Sequence, residues 1–375
     1  MSEKHLHIVT HNVPWPANYG GVIDVFQKIK TLHELGIKIH LHCFTYDNRT
    51  PQNELNKYCE EVFYYKRNKS ITAFSFRLPF IVSSRKCDAL LRNLQKNNHP
   101  ILLEGIHSTY YLYAGKLNNR KVIVRLYNAE FEYYHHLSIY EKEPLKKLYF
   151  KRESRLLKKY EENLSKHACI AAISEQDVSI YKELFHAPDI RYLPAFLPYT
   201  LAICKEGNGC FCLYHGNLSV NENEKAAEWL LQNVFNDLDV CFIVAGKSPS
   251  EKLKYLIEQN KHACLVSDPS DKEMQDLIAK AQIHILPSFN NTGVKLKLLN
   301  ALFNGRHCIV NAAGVDGSGL EKACHIAETS DDFRMQVNQL YYQPFKEEAI
   351  QKRQGLLNEL YNNEANAQQL ISWLY

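Results

Sequence analysis

The amino-acid sequence predicts an α/β chain of two similar domains facing one another, each a mostly parallel, Rossmann-like sheet with helices on both faces. Three observations lead there. Short apolar runs of strand length alternate with amphipathic helical patterns along nearly the whole chain, the mark of βα repetition. That alternation breaks at Pro194-Ala-Phe-Leu-Pro198 and the irregular segment to about Gly209, then restarts at once, as at a domain boundary. A chain of 375 residues also exceeds what one core usually supports, and two domains of roughly 150 to 200 residues fit it better. The expected division is residues 1–198, residues 199–355, and a C-terminal helix at 356–375 packing back on the first domain.

In the first half, His5 to His11 reads as a strand and Val22 to Leu35 as a helix with apolar positions at Val22, Val25, Phe26, Ile29 and Leu32. Gly36 ends that helix and Ile37 to Phe44 forms the next strand. The loop between strand and helix, Asn12 to Gly21, holds Pro14, Pro16 and the pair Gly20-Gly21. It lacks the Gly-x-Gly-x-x-Gly dinucleotide fingerprint. A ligand-facing loop at a strand's carboxyl end and a rigid proline turn both fit it. Weaker elements follow: a strand at Glu61 to Tyr65 and a helix at about Cys87 to Gln95. Ile101 to Glu104 is a buried strand that delivers Gly105-Ile-His107, and Val122 to Tyr127 is another that delivers Asn128-Ala-Glu130 to the same sheet edge. In parallel sheets that edge faces the ligand; a structural capping histidine is the equal alternative for His107. A Lys/Glu-rich helical stretch from Glu130 to Leu164 breaks at Pro144. Ala168 to Ile173 is a strand, and Ser174 with Asp177 opens the following helix.

The second half repeats the plan: strands at 210–214, 239–245, 262–266, 282–286 and 307–311, with helices at 222–235, 249–259, 271–279 and 293–304. Tyr214-His-Gly-Asn-Leu-Ser219 and Ala245-Gly-Lys-Ser248 are loops at strand ends. The Gly246-Lys247-Ser248 run lacks the spacing of a nucleotide-triphosphate loop. The most informative stretch is Asn291 to Gly305. Gly293, Val294, Lys295 and Lys297 stand where a loop feeds a helix, and a helix N-terminus with lysines and free backbone N–H groups binds anions. A turn glycine with solvated lysines also fits, and His215 and Lys247 read equally as loop residues. The C-terminal part is helical and ends in Trp373 and Tyr375.

Composition narrows the function. A net charge of +4 with mixed signs does not imply a nucleic-acid partner. The sequence has no apolar run of the roughly 18 residues a membrane helix needs, and its start does not read as a signal peptide; cytoplasmic residence is expected. The 11 cysteines, including Cys169, Cys241, Cys264 and Cys308 in apolar strand patterns, read as reduced core thiols. Cys210-x-Cys212 lacks a second ligand pair for zinc.

The glycine loop at Pro16 to Gly21, the His215-Gly216-Asn217 segment, Asn223 with Ala227, Gly246-Lys247 and the stretch from Thr292 to Gly305 together resemble the GT-B glycosyltransferases, and within them retaining family 4. The resemblance implies a nucleotide diphosphate sugar donor bound by the second domain and a saccharide or lipid-linked saccharide acceptor on the first. It places Gly293, Val294, Lys295 and Lys297 at the donor diphosphate, with His215, Gly216 and Lys247 as further donor contacts. Gly21, His107 and Glu130 fall on the first-domain side, and His107, Glu130 and Lys295 are the catalytic candidates. No metal is implied. Cell-envelope or surface polysaccharide synthesis is the expected setting, with peripheral contact at the inner membrane face. The chain departs from the family where two glutamates usually stand, with Thr292 and Asn300 there, and where an arginine often follows the second-domain glycine, with Asn217 there.

Physically, lysines at a helix N-terminus would stabilise charge developing on a departing diphosphate in a cleft between domains, and domain closure would exclude water. Two other readings share the donor site: a sugar-nucleotide epimerase that needs no acceptor, and a noncatalytic nucleotide-sugar-binding protein.

Overall fold

A computed structural model describes residues 3–46, 49–290 and 293–375. It divides into two compact units, residues 1–198 with 361–375, and residues 199–360. Unit 1 carries seven strands: β1 (His5–Thr10), β2 (Lys38–Thr45), β3 (Glu61–Lys66), β4 (Ile101–Glu104), β5 (Val122–Leu126), β6 (Cys169–Ala172) and β7 (Ile190–Tyr192). Their order is β3-β2-β1-β4-β5-β6-β7 and every pairing is parallel. Unit 2 carries β8 (Cys212–Asn217), β9 (Phe242–Lys247), β10 (Ala263–Ser267), β11 (Ile283–Ile285), β12 (His307–Val310) and β13 (His325–Ile326), in the parallel order β10-β9-β8-β11-β12-β13.

Strand alternation sorts the core of unit 1 onto two faces. Leu103, Val124 and Ile170 belong to one buried cluster, while their neighbours Leu102, Ile123 and Ala171 belong to the other. A parallel sheet must bury both faces, and here the second face is covered partly by the chain's end. Ala367, Leu370 and Leu374 of the helix Asn363–Leu374 lie in the same cluster as Val25 and Ile29 of the helix Gly20–Glu34.

Several boundaries differ from the sequence reading. The first strand of unit 2 is Cys212–Asn217, and Cys210 lies before it. The helix expected from Gly293 runs Leu296–Asn304, because Gly293 sits at φ +65°, a left-handed conformation outside the helical region, and Lys295 is an extended N-cap. The cysteines are free, as expected, but Cys241 and Cys264 are exposed and not core thiols. Cys264 is on β10, the edge strand of its sheet, where solvent reaches alternate residues.

The centre of unit 1 is polar as well as apolar. Lys28, fully buried, donates to Asp24 and to Glu104, each at 2.8 Å. Asp24 also pairs with buried Arg125 at 3.3 Å and accepts from the Phe196 N–H at 2.8 Å. Burial pushes the Asp24 carboxyl up, but Lys28 and Arg125 outweigh it and hold it below its ordinary range. Arg125 donates to the carbonyls of Leu193 and Pro194, and Tyr127 donates to Glu104. Glu104 is therefore a structural counter-ion.

Removing one partner of a buried ion network leaves the others desolvated and unpaired. Lys28→Met should lower the unfolding free energy of unit 1 by about 3–5 kcal/mol, read from the denaturation midpoint; a loss under about 1 kcal/mol, the scale of a surface ion pair, would contradict this role for the network.

Candidate functional site

The residues singled out from the sequence collect at the carboxyl edges of the two sheets, where strand ends leave backbone and side chains open to ligands. In unit 1, His11 follows β1 and His107 lies in the turn Ile106–Ser108 after β4. Their rings are 5.1 Å apart, and Tyr127, after β5, lies 6.0 Å from His11. Gly21 backs onto the same imidazole: a Cβ there would sit 3.5 Å from His11 Cε1. Arg85 is buried beneath this group and donates to the His11 and Ile81 carbonyls at 3.1 and 2.6 Å. Burial, then Arg67, lowers Arg85 to about 9.

Both histidines are neutral near pH 7. Burial and then Arg85 push His11 down to about 3 and His107 well below its usual range. The Nδ1 atoms of both are buried without a hydrogen-bond partner. A neutral imidazole with an open nitrogen can take or give a hydrogen bond to an incoming hydroxyl.

Glu130 opens the helix Glu130–Tyr140 and is buried. Burial, then the neighbouring Asp177, raises its carboxyl to about 8. Asp177 accepts from the Ala129 N–H at 2.8 Å and from the Ser174 hydroxyl at 2.6 Å, while Ser174 caps the next helix by accepting from the Asp177 N–H. Glu161 approaches from the helix Pro144–Ser165 and accepts from the Phe131 N–H at 2.9 Å. Glu130 is thus protonated at neutral pH and is a hydrogen-bond donor there.

In unit 2 the centre is Lys297, in the first turn of the helix Leu296–Asn304. Its ammonium donates to Asn223 Oδ1 at 3.0 Å and to the Tyr214 hydroxyl at 3.3 Å, and lies 4.9 Å from the Tyr214 ring centroid. The Tyr214 hydroxyl in turn donates to the Asn223 carbonyl at 2.8 Å. Burial lowers Lys297 to about 8, against the pull of Glu222. His215, next to Tyr214 on β8, is buried with Nε2 unpartnered and is pushed down to about 3 by burial and Lys297. Lys295 donates to the Gly293 carbonyl at 3.4 Å, and Val294 lies between them, half-buried.

Asn217 and Lys247 end adjacent strands and pair in register, and Gly216, one residue earlier, pairs with Gly246. Lys247 is exposed. Gly246 is required by close packing: a Cβ there would stand 2.0 Å from the Gly216 carbonyl oxygen. Asn217 folds its side chain onto Ser219, accepting from its N–H and hydroxyl at 3.1 and 2.8 Å. Asn300 accepts from Asn304 Nδ2 at 2.7 Å. Thr292 and Asn291 lie outside the described residues.

The structure therefore groups His107 and Gly21 around His11, sets Glu130 nearby in the field of Arg85, and joins His215 with Lys297. Sequence reasoning misses Glu222. Its carboxylate accepts from the Ser288 hydroxyl at 3.0 Å and from Asn290 Nδ2 at 3.3 Å, and it is the acid that faces Lys297. The one available signal is its place in the first turn of the helix Asn221–Asn233, after the His215 loop. His11, two residues beyond Val9 of the strand core, reads from the sequence only as a strand end.

Residues 210–342 match the family described as Glycosyl transferases group 1. The "Uncharacterized 44.6 kDa protein in cps region" of Klebsiella pneumoniae is 26% identical over 342 residues, 87% of each chain. Among solved structures, sucrose-phosphate synthase from Thermosynechococcus elongatus superposes with a TM-score of 0.71 at 14% identity, covering 98% of each chain. S. aureus TarM, as a point mutant in complex with Fondaparinux, alpha-GlcNAc-glycerol and UDP, gives 0.67 at 13% identity over 99% of each. These likenesses establish the GT-B fold. The family resemblance read from the sequence is borne out, and the enzyme class of the matched family is the expected one, nucleotide-sugar-dependent glycosyl transfer.

A carboxyl raised on folding stabilises the protein fully below its unfolded value and loses that contribution as pH rises through its folded value. For Glu130 the window runs from about 4.5 to about 8. Glu130→Gln, which keeps a neutral hydrogen-bonding group, should flatten the fall in stability between pH 5 and 8 measured by chemical denaturation; an unchanged slope would show that Glu130 does not titrate there.

Proposed function

We propose that this chain, with its group 1 glycosyltransferase segment and GT-B fold, moves a sugar from a nucleotide diphosphate sugar to a saccharide or lipid-linked saccharide acceptor, with retention, in surface polysaccharide synthesis. The observation that carries the reading is Lys297. It is held in the first helical turn against Tyr214 and Asn223, with two donor contacts made and one N–H left, inside the segment that matches the family. A half-buried cation beside a helix N-terminus stabilises a departing diphosphate more strongly than a solvated one would.

The roles follow from that anchor. Lys295, Lys297 and the backbone of Gly293 and Val294 meet the diphosphate, and Lys295 and Lys297 offset its growing charge as the bond to the sugar breaks. His215, Gly216 and Lys247 line the rest of the donor edge. In unit 1, Gly21 leaves room for ligand beside His11. Neutral His107 orients an acceptor hydroxyl through its open Nδ1, and protonated Glu130 donates a hydrogen bond. TarM, solved with UDP, supports a nucleoside diphosphate donor, and the relative from a cps region supports the polysaccharide setting.

A lipid-linked acceptor also accounts for one surface of unit 1. Ile71 and Phe76 are 89% and 85% exposed, and Leu145 and Leu148 are 77% and 66% exposed. Arg152 joins the two segments, stacking on Phe74 at 4.4 Å and donating to the Ser75 carbonyl. Lys147 and Lys151 are exposed on the same helix. Apolar side chains beside lysines suit a peripheral contact with an anionic membrane face. Among the described residues no helix is long and apolar enough to cross a membrane.

Binding of UDP and of a panel of nucleotide diphosphate sugars tests the donor site. Lys297→Met should weaken the best ligand by about 10-fold or more, as expected for loss of a charged hydrogen bond; equal binding by both proteins would sink the assignment. Because an anion raises the Lys297 value above its free value of about 8, affinity should be full below pH 8 and fall as pH rises beyond it. Product analysis with and without acceptor then separates transfer from epimerisation and from binding alone. For the membrane face, sedimentation with phosphatidylglycerol vesicles should recover the protein at low salt, and Phe76→Ser with Leu145→Ser should release it; retention of the double variant would remove this surface from the proposal.

A further inference from the structure

At the opposite, amino-terminal edge of the unit 1 sheet, two strands carry alternate histidines: His5 and His7 on β1, His40 and His42 on β2. Alternation puts each pair on one face of the sheet, and His99, just before β4, stacks on His5 with ring centroids 4.6 Å apart. We propose that His5, His40 and His99 form a binding site for a divalent transition-metal ion of the zinc class.

The five rings fall into two layers with different hydrogen-bond fates. In the inner layer every nitrogen is used. His7 Nε2 lies 2.8 Å from Asn97 Oδ1, an acceptor, so it carries the proton. His7 Nδ1 then accepts from His42 Nε2 at 2.9 Å, and His42 Nδ1 accepts from the Tyr65 hydroxyl at 2.9 Å. Asn93 donates to that hydroxyl at 2.8 Å. This chain leaves no lone pair for an ion.

The outer layer is the reverse. His40 Nδ1 is 2.8 Å from the Glu61 carboxylate, which can only accept, so Nδ1 holds the proton and Nε2 presents its lone pair. His5 has Glu3 on its Nε2 side at 3.8 Å, leaving Nδ1 directed at the same point. His5 Nδ1 and His40 Nε2 are 3.1 Å apart. Two imidazole nitrogens bound tetrahedrally at 2.0–2.1 Å to zinc are about 3.3 Å apart. One nitrogen from each of the three histidines lies within 4.8 Å of the others, so a side-chain rotation of His99 completes three ligands, with water as the fourth.

The distal carboxylates are the second feature a metal site needs, since a carboxylate on the far nitrogen fixes the tautomer and raises ligand basicity. The charged groups around the cluster are Glu3, Glu60 and Glu61 against Lys38 and Arg120, and Lys38 is already paired with Glu60 at 2.8 Å. All three ligand histidines are half-buried and reachable from solvent. On binding, the ion takes the place of the proton between His5 Nδ1 and His40 Nε2, and that proton passes to His5 Nε2 on the Glu3 side, so that His5 stays a neutral ligand. The ion then ties together β1, β2 and the residue entering β4, three neighbouring strands of the sheet.

The test is titration of the full chain, without an affinity tag and freed of metal, with Zn2+ by calorimetry and with Co2+ by its visible ligand-field bands. One ion per chain should bind, with a four-coordinate cobalt spectrum and a rise in the unfolding temperature. His40→Ala and His99→Ala should each weaken binding at least about tenfold, and Glu61→Gln should weaken it about 10-fold or more by loosening the His40 ring it orients. His262→Ala, on another surface, should leave it unchanged. Circular dichroism confirms that each variant is folded, and Glu61→Gln, at an exposed position, keeps the test decisive if a histidine variant is not. Absence of stoichiometric binding, or binding indifferent to His40, His99 and Glu61, overturns the site.

Discussion

The buried ion network around Lys28 is the constraint on which unit 1 depends. An ammonium with no exposure must have its charge balanced and its protons used, and Lys28 meets this with Asp24 from its own helix and Glu104 from the end of β4. Asp24 also fixes Arg125 on β5 and the backbone of Phe196. One set of charges thus pins the helix Gly20–Glu34, two central strands and the segment that leaves the unit. Because Glu104 immediately precedes Gly105 and the His107 turn, the same network fixes where that turn emerges. The carboxyl edge of the sheet is positioned by a core that tolerates little rearrangement.

Above that core, burial sets the chemistry of the sheet edge. Burial, helped by the cations Arg85 and Arg67, keeps the His11 and His107 imidazoles neutral, while burial and then Asp177 raise the Glu130 carboxyl. Unit 2 uses the same device in another sense. Burial brings half-buried Lys297 to about 8, near the pH at which a small change in surroundings decides its charge. Each group is poised by its neighbours, and an arriving phosphate or hydroxyl changes those neighbours.

Much of this is legible in the sequence, because parallel βα units announce themselves by apolar strands, helical periodicity and the loops between them. The residues His107, Glu130 and His215 can be picked out for the same reason, since in such sheets the carboxyl edge follows directly from strand position, and Lys297 by its place at a helix start. What stays hidden depends on contacts between distant segments. Tyr214 and Asn223 meet Lys297 from 83 and 74 residues away, and Lys28 meets Glu104 across 76. Local pattern also misplaces the start of the focal helix. A glycine before lysines reads as a helix opening, whereas the positive φ of Gly293 makes it a loop residue and moves the start to Leu296. Cys241 and Cys264 look apolar by company, yet Cys241 lies just before β9 and Cys264 is on the edge strand β10, where apolar neighbours in sequence do not tell which residues meet water.

The departures from the family pattern take on a physical meaning when charges are counted in unit 2. Asn300, where a glutamate is usual, spends its side chain on Asn304 within the same helix, so it neither balances nor opposes Lys297. Asn217, where an arginine is usual, closes its own turn through Ser219. Among the described residues these two positions therefore carry no charge, and the charges that act on one another at the helix start are Lys295, Lys297 and Glu222. Glu222 is itself held by Ser288 and Asn290, which fixes its distance from the ammonium and prevents a direct ion pair from quenching it. A lysine paired tightly to a carboxylate would gain little from a diphosphate, because binding would first break the pair. Held apart from Glu222 and bonded to the neutral oxygens of Tyr214 and Asn223, Lys297 keeps its charge available, as the proposed diphosphate contact requires.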